Sequence, residues 1–233
     1  MSAALIFLLL SCAFPAAAAN TAGTNSVVKN LEAHYRSART LEAVFLERYS
    51  EGSQTVRVES GKVYFSRPGR MRWEYESPQE KLFLVDGKYA WLYLPADRTA
   101  TREPVRESDD WRTPLALLTG RAQLSRFCGG IELLPADAAS LEDRPSSVGN
   151  YVLRCTPKIH GNAEPAFQDA LLEADPRFRL VRVLIRQAGA LQTEFRFGDW
   201  QENIPLDESK FHFLPPPGIA IVEAPQLDAT APH

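Results

Sequence analysis

The stretch Gly61-Lys62-Val63-Tyr64-Phe65-Ser66-Arg67-Pro68-Gly69-Arg70-Met71-Arg72-Trp73-Glu74-Tyr75 decides the fold class. Before Pro68 the chain alternates, with Val56, Val58, Val63 and Phe65 as the apolar members of a run that begins near Gln54. After Gly69, Met71, Trp73 and Tyr75 alternate with charged residues. A period of two with one apolar face marks a half-buried antiparallel strand, not a helix.

The same pattern spreads in both directions. Leu41 to Leu46 reads as a strand, Leu82 to Val85 as a buried one, and Tyr89 to Leu94 as its return across the two-residue turn signal Asp86-Gly87. Farther along, Ile131–Leu134, Tyr151–Cys155, Ala170–Ala174, Leu180–Arg186 and Leu191–Phe197 read as strands, with a turn at Ala188-Gly189. Phe211-His212-Phe213 is expected as a last short strand, and Ile219 to Val222 as a further one. Two helices interrupt this meander. One starts at a Ser26 cap and carries Val27, Val28, Leu31, His34 and Tyr35. The other runs from a Thr113 cap and Pro114 through Leu115, Leu117 and Leu118 to Gly120.

Residues 1–19 carry no charge and pass from an apolar run (Ala3 to Leu10) into Ala17-Ala18-Ala19, the pattern of a cleavable signal peptide without its usual basic start. Ser11-Cys12 after two leucines offers a lipoprotein-type alternative, with Cys12 acylated. Residues 20–223 are expected to form one all-β domain and residues 224–233 an Ala/Pro-rich disordered tail. Downstream of the signal two cysteines remain, Cys128 and Cys155. In an exported chain such a pair favours one disulfide over two buried thiols.

The net charge of −3 is small and mixed, so nothing favours nucleic acid as a partner. His34, His160, His212 and His233 have no metal-ligand spacing, and neither a nucleophile motif nor a nucleotide-binding loop occurs. No metal, cofactor or catalytic residue is expected, and the chain reads as a binder and not an enzyme. Asp109-Asp110, before a helix start, reads as solvated.

Several segments together resemble the LolA family of periplasmic lipoprotein carriers. They are Gly61–Trp73 with its Arg-Pro, Val85-Asp86-Gly87-Lys88-Tyr89-Ala90-Trp91-Leu92-Tyr93, Thr113-Pro114-Leu115-Ala116-Leu117-Leu118, Cys155-Thr156-Pro157-Lys158 and the ending Phe211–Ile219 with Pro215-Pro216-Pro217-Gly218. The resemblance spans roughly Val27 to Val222. It implies an incomplete antiparallel β-barrel of about eleven strands, with an N-terminal helix and a short lid helix over a hydrophobic cavity. It implies a periplasmic monomer that takes acylated lipoproteins from an inner-membrane ABC transporter to an outer-membrane receptor. Arg67 would hold the lid closed. Met71, Trp73, Tyr75, Trp91, Tyr93, Leu115, Leu117, Leu118, Phe195 and Phe197 would line the cavity. If Cys12 is acylated, the chain would instead resemble LolB, the membrane-anchored receptor of related fold, or a general lipid-binding lipoprotein.

Overall fold

A computed structural model describes residues 16–105, 115, 117–120, 123–135, 147, 149–159, 164–165 and 167–223, with side chains from Gly23 onward. Residues 1–15 of the expected signal segment, Cys12 among them, Asp109-Asp110, the expected Thr113 cap with Pro114, and the stretch from 224 lie outside the described residues. Twelve strands form one sheet: β1 (Thr40–Glu51), β2 (Gln54–Ser66), β3 (Arg70–Ser77), β4 (Lys81–Val85), β5 (Tyr89–Leu94), β6 (Thr99–Pro104), β7 (Cys128–Leu134), β8 (Tyr151–Pro157), β9 (Asp169–Ala174), β10 (Leu180–Gln187), β11 (Leu191–Glu202) and β12 (Ala220–Glu223). Their order is β12-β6-β5-β4-β3-β2-β1-β11-β10-β9-β8-β7, so β12 and β7 are the two edges and the barrel stays open. All pairs are antiparallel except β12 on β6. The expected mainly-β, incomplete barrel is what forms, with twelve strands in place of about eleven.

Helix α1 (Ala16–Ser37) lies over the inner face of the sheet. Val27, Leu31 and Tyr35 recur every four residues, so they share one side of the helix, and all three are buried. The Leu180 amide donates to the Tyr35 hydroxyl (2.7 Å), and the Leu133 amide donates to Thr24 (3.2 Å). The helix thus reaches from edge strand β7 across to β10, the fourth strand in from that edge. It does not start at Ser26: the alanine-rich stretch before it has high helix propensity and continues the helix upstream to Ala16.

A second correction concerns the ending. Phe211-His212-Phe213 is not a strand, because Asp207 caps a 3-10 turn over Glu208–Phe211 by accepting from the Ser209 amide (2.9 Å). That turn drops Phe211, fully buried, onto the outer face among Tyr64, Leu84 and Trp91. The chain then crosses this face as a strap and ends in β12, the expected extra strand.

The Asp86-Gly87 turn forms as read. Gly87 has φ of 100°, which a side chain would strain. Asp86 accepts from the amides of Lys88 and Tyr89 (both 2.7 Å) and from the Trp91 indole (3.2 Å). Partial burial pushes the Asp86 pKa up, but these donors outweigh it and hold it below the ordinary value. We expect Asp86→Ala to destabilise the protein by roughly 1 kcal/mol at neutral pH, below the usual range for charged hydrogen bonds because the turn is partly exposed. A depressed folded-state pKa gives stability that is present above the unfolded value of about 3.9 and lost as pH falls through the folded one. The gap between wild type and variant should therefore be full at pH 7 and narrow progressively as pH falls below about 4 in chemical denaturation; a gap undiminished at low pH would contradict this account.

Candidate functional site

The inner face is built from alternate residues of β1, β2, β3, β4 and β11. Paired residues of antiparallel strands share a face, so the register places Phe45 with Phe197, Val63 with Trp73, and Trp73 with Phe83. Trp73 is the centre. Its ring lies 4.8 Å from Phe45, 5.7 Å from Phe195, 6.1 Å from Phe197 and 6.2 Å from Phe65, all edge to face. Leu115, Leu117 and Leu118 close over the same cluster and are buried, and Met71 and Tyr75 pack against it. The three leucines adopt a short 3-10 segment ending at Gly120.

Eight of the ten residues expected at the cavity therefore meet on one face. Trp91 and Tyr93 do not. They lie on the outer face with Tyr64, Leu82, Leu84 and Phe211. Pairing of β3 with β4 joins odd positions to odd ones (Trp73 with Phe83), but pairing of β4 with β5 joins odd to even (Phe83 with Leu92). The inner face thus passes to Leu92, and Trp91 falls opposite Leu84 on the other side. With Phe213 5.1 Å from Trp91 and 5.4 Å from Tyr93, both rings serve to seat the strap. Beneath the strap lies an outer cleft of about 390 Å³ that Tyr93 helps to line.

Arg67 stands at the β2–β3 turn, where three pieces of chain converge. Its Nε donates to the Ala38 carbonyl at the end of α1, and its Nη1 to the Gly120 carbonyl (3.4 Å) at the end of the leucine segment. Its own amide donates to the Arg39 carbonyl (3.1 Å). Burial, with the nearby Arg36 charge, lowers its pKa from the usual guanidinium value. Nη2 is buried without a hydrogen-bond partner among the described residues. Gly120 suits this bridge in two ways. It has φ of +67°, and a Cβ on it would displace the Arg67 guanidinium from its present place. One guanidinium fork thus bridges the helix and the leucine segment that together cover the aromatic cluster.

Cys128 and Cys155 are bonded, with Cα atoms 5.4 Å apart, and tie β7 to β8. What sequence reasoning missed is the polar end of the inner face, Glu47 with Glu59 and Lys81, which the expected lining residue Tyr75 joins through its hydroxyl. Glu47 and Glu59 belong to strands whose apolar run had already ended or paused, so only the register reveals which way they point.

Among known proteins, the family model described as "Outer membrane lipoprotein carrier protein LolA" matches residues 36–128. An outer-membrane lipoprotein carrier protein of Nitrosomonas europaea is 28% identical over 200 residues, covering 84% of this chain and 89% of its own. Another, of Chromobacterium violaceum, is 25% identical over 217 residues, covering 93% and 97%. Among solved structures, an uncharacterized conserved protein of Thermus thermophilus superposes with a TM-score of 0.54 at 11% identity, over 87% of this chain and 99% of that one; this likeness speaks for the fold alone.

Proposed function

We propose that this chain, a member of the LolA family, binds the acyl chains of lipoproteins on its inner face and carries them through the periplasm from an inner-membrane ABC transporter to an outer-membrane receptor. The relatives' shared name as lipoprotein carriers supports the cargo class. The observation that carries the reading is the aromatic and leucine cluster on the inner face, closed by a single Arg67 bridge to α1 and to Gly120. A packed core has no need of a cover latched by one side chain; a carrier does.

The energetics fit a reversible binder. Burying alkyl chain gains ~0.8 kcal/mol per methylene, so one chain of about 14 methylenes gains roughly 11 kcal/mol. The closed cluster satisfies the same surfaces without cargo, so opening it offsets part of that gain and leaves an affinity from which release is feasible. The activity proposed is binding and transfer, with no bond made or broken. Among the described residues no helix is long and apolar enough to cross a membrane.

The test is native mass spectrometry of the mature protein purified from the periplasm with a tagged lipoprotein co-expressed. A one-to-one complex is expected. If the protein comes away empty with every acylated cargo offered, the carrier reading fails.

A further inference from the structure

The inner face changes character along β1. Leu41, Ala43 and Phe45 point inward and are buried; the next inward residue is Glu47. Glu47 pairs with Phe195 on one side and stands directly opposite Glu59 on the other. Two carboxylates facing each other across a ladder repel, and Glu59 is only 7% exposed.

Each has acquired donors. The Tyr75 hydroxyl donates to Glu47 (2.7 Å). Lys81 Nζ donates to both oxygens of Glu59 (2.8 and 2.7 Å), and Arg57 Nε lies 3.2 Å from the same carboxylate. Lys81 Nζ also sits 4.0 Å over the Tyr75 ring, whose edge-to-face neighbour, 4.9 Å away, is Phe45 of the aromatic cluster. Tyr75 is therefore the seam: its ring belongs to the apolar cluster and its hydroxyl to the polar group. Burial pushes the Glu47 carboxyl above its ordinary pKa, and the Tyr75 and Lys81 contacts do not fully reverse it.

This group lies at the opposite end of the face from Arg67. From Leu41, which pairs with Phe65 beside Arg67, to Glu47 is six residues of strand, or about 20 Å. For stability alone, an apolar set at these positions would serve as well or better, since buried ion pairs seldom outdo hydrophobic replacements. The placement suits a ligand that is apolar along most of its length and polar at one end.

Resting on the carrier reading above, we propose that Glu47, Tyr75 and Lys81 form the seat for the polar head of the cargo, the acylated cysteine where the alkyl chains join the polypeptide. Its ester carbonyls accept from Lys81, and from the Tyr75 hydroxyl once that hydroxyl turns away from Glu47. Its amide N–H groups donate to Glu47. The chains run from there along Phe45, Trp73 and Phe195 toward Arg67. Ester and amide groups drawn out of water need such partners, because leaving them unpaired is costly.

Two probes separate this inference from the reading beneath it: a synthetic diacylglyceryl-cysteine lipopeptide, and the uncharged, head-less fluorophore N-phenyl-1-naphthylamine. Tyr75→Phe keeps the ring on Phe45 and removes only the hydroxyl; Glu47→Gln keeps the shape and removes the charge. Each variant is expected to bind the lipopeptide about tenfold more weakly than wild type, while fluorophore binding stays within about twofold. Lipopeptide affinities equal to wild type overturn the proposal. So does an equal loss for both probes, which would mark the group as purely structural. If wild-type protein takes up neither probe, the carrier reading itself falls and this inference goes with it.

Discussion

Removing the Cys128–Cys155 disulfide, as the Cys128→Ala/Cys155→Ala double variant, is expected to cost roughly 3.5 kcal/mol of stability. The figure follows from the loop that the bond closes. With a sequence separation of 27, the chain-entropy relation puts the restriction of the unfolded ensemble at about that value. For a chain of this size the melting temperature should fall by roughly 10 °C. Alanine is the better replacement, since a serine hydroxyl at either buried position would add the separate cost of an unpaired polar group. The effect should also be localised. Cys128 opens edge strand β7 directly after the short helix α2 (Leu124–Phe127), and α1 docks on that strand through Thr24 and Leu133. Amide exchange in β7 should rise more than in β1 or β2, which pair on both sides. Reduced wild-type protein should behave like the variant; a melting temperature unchanged by either treatment would show that the bond contributes nothing.

How far the sequence led can be judged residue by residue. Strand alternation around Trp73 was legible because that part of the sheet is clean: apolar residues inward, charges outward, and a turn with its own chemistry at Asp86-Gly87. The cysteine pairing was legible from an even count in a chain expected to be exported, and the Arg67–leucine-segment relation came from the family resemblance alone. Face assignment beyond one hairpin was not legible. Trp73 and Trp91 look alike in their strands, yet the odd-to-even pairing across β4 and β5 sends them to opposite sides. That offset resides in the turn geometry and leaves no mark in hydrophobic period. The strap misled for another reason. Aromatic alternation at Phe211-His212-Phe213 mimics a strand, and the Asp207 cap overrides it locally. The polar seat escaped because Glu47 follows an apolar run that reads as finished at Leu46, whereas pairing with β2 and β11 carries β1 on to Glu51.

Arg67→Leu is expected to make the protein bind acyl chains more tightly and release them more slowly. In the closed state the guanidinium donates to the Ala38 and Gly120 carbonyls, and hydrogen bonds from a charged group contribute about 1.5–3 kcal/mol each. Lifting the leucine segment breaks the bond to Gly120, and the low end of that range gives roughly 1.5 kcal/mol in favour of the closed cover, or about tenfold in the closed-to-open ratio. Leucine fills the space and supplies no donor, so the cover over Trp73 loosens. Because cargo binds only the open form, its apparent affinity is reduced by the fraction of molecules that are open, and the variant relieves that reduction. Lipopeptide affinity should rise by about tenfold, net release into an acceptor should slow because the emptied open carrier recaptures its cargo more often, and an apolar dye should light up more strongly on the empty variant. Arg67→Lys should fall between the two, since one ammonium lacks the planar fork that reaches both carbonyls. Stopped-flow release into a detergent acceptor would measure the rate. Unchanged affinity, rate and dye signal in Arg67→Leu would mean that the bridge does not govern opening, and the cover would then have to be held by the apolar contacts of Leu115, Leu117 and Leu118 alone.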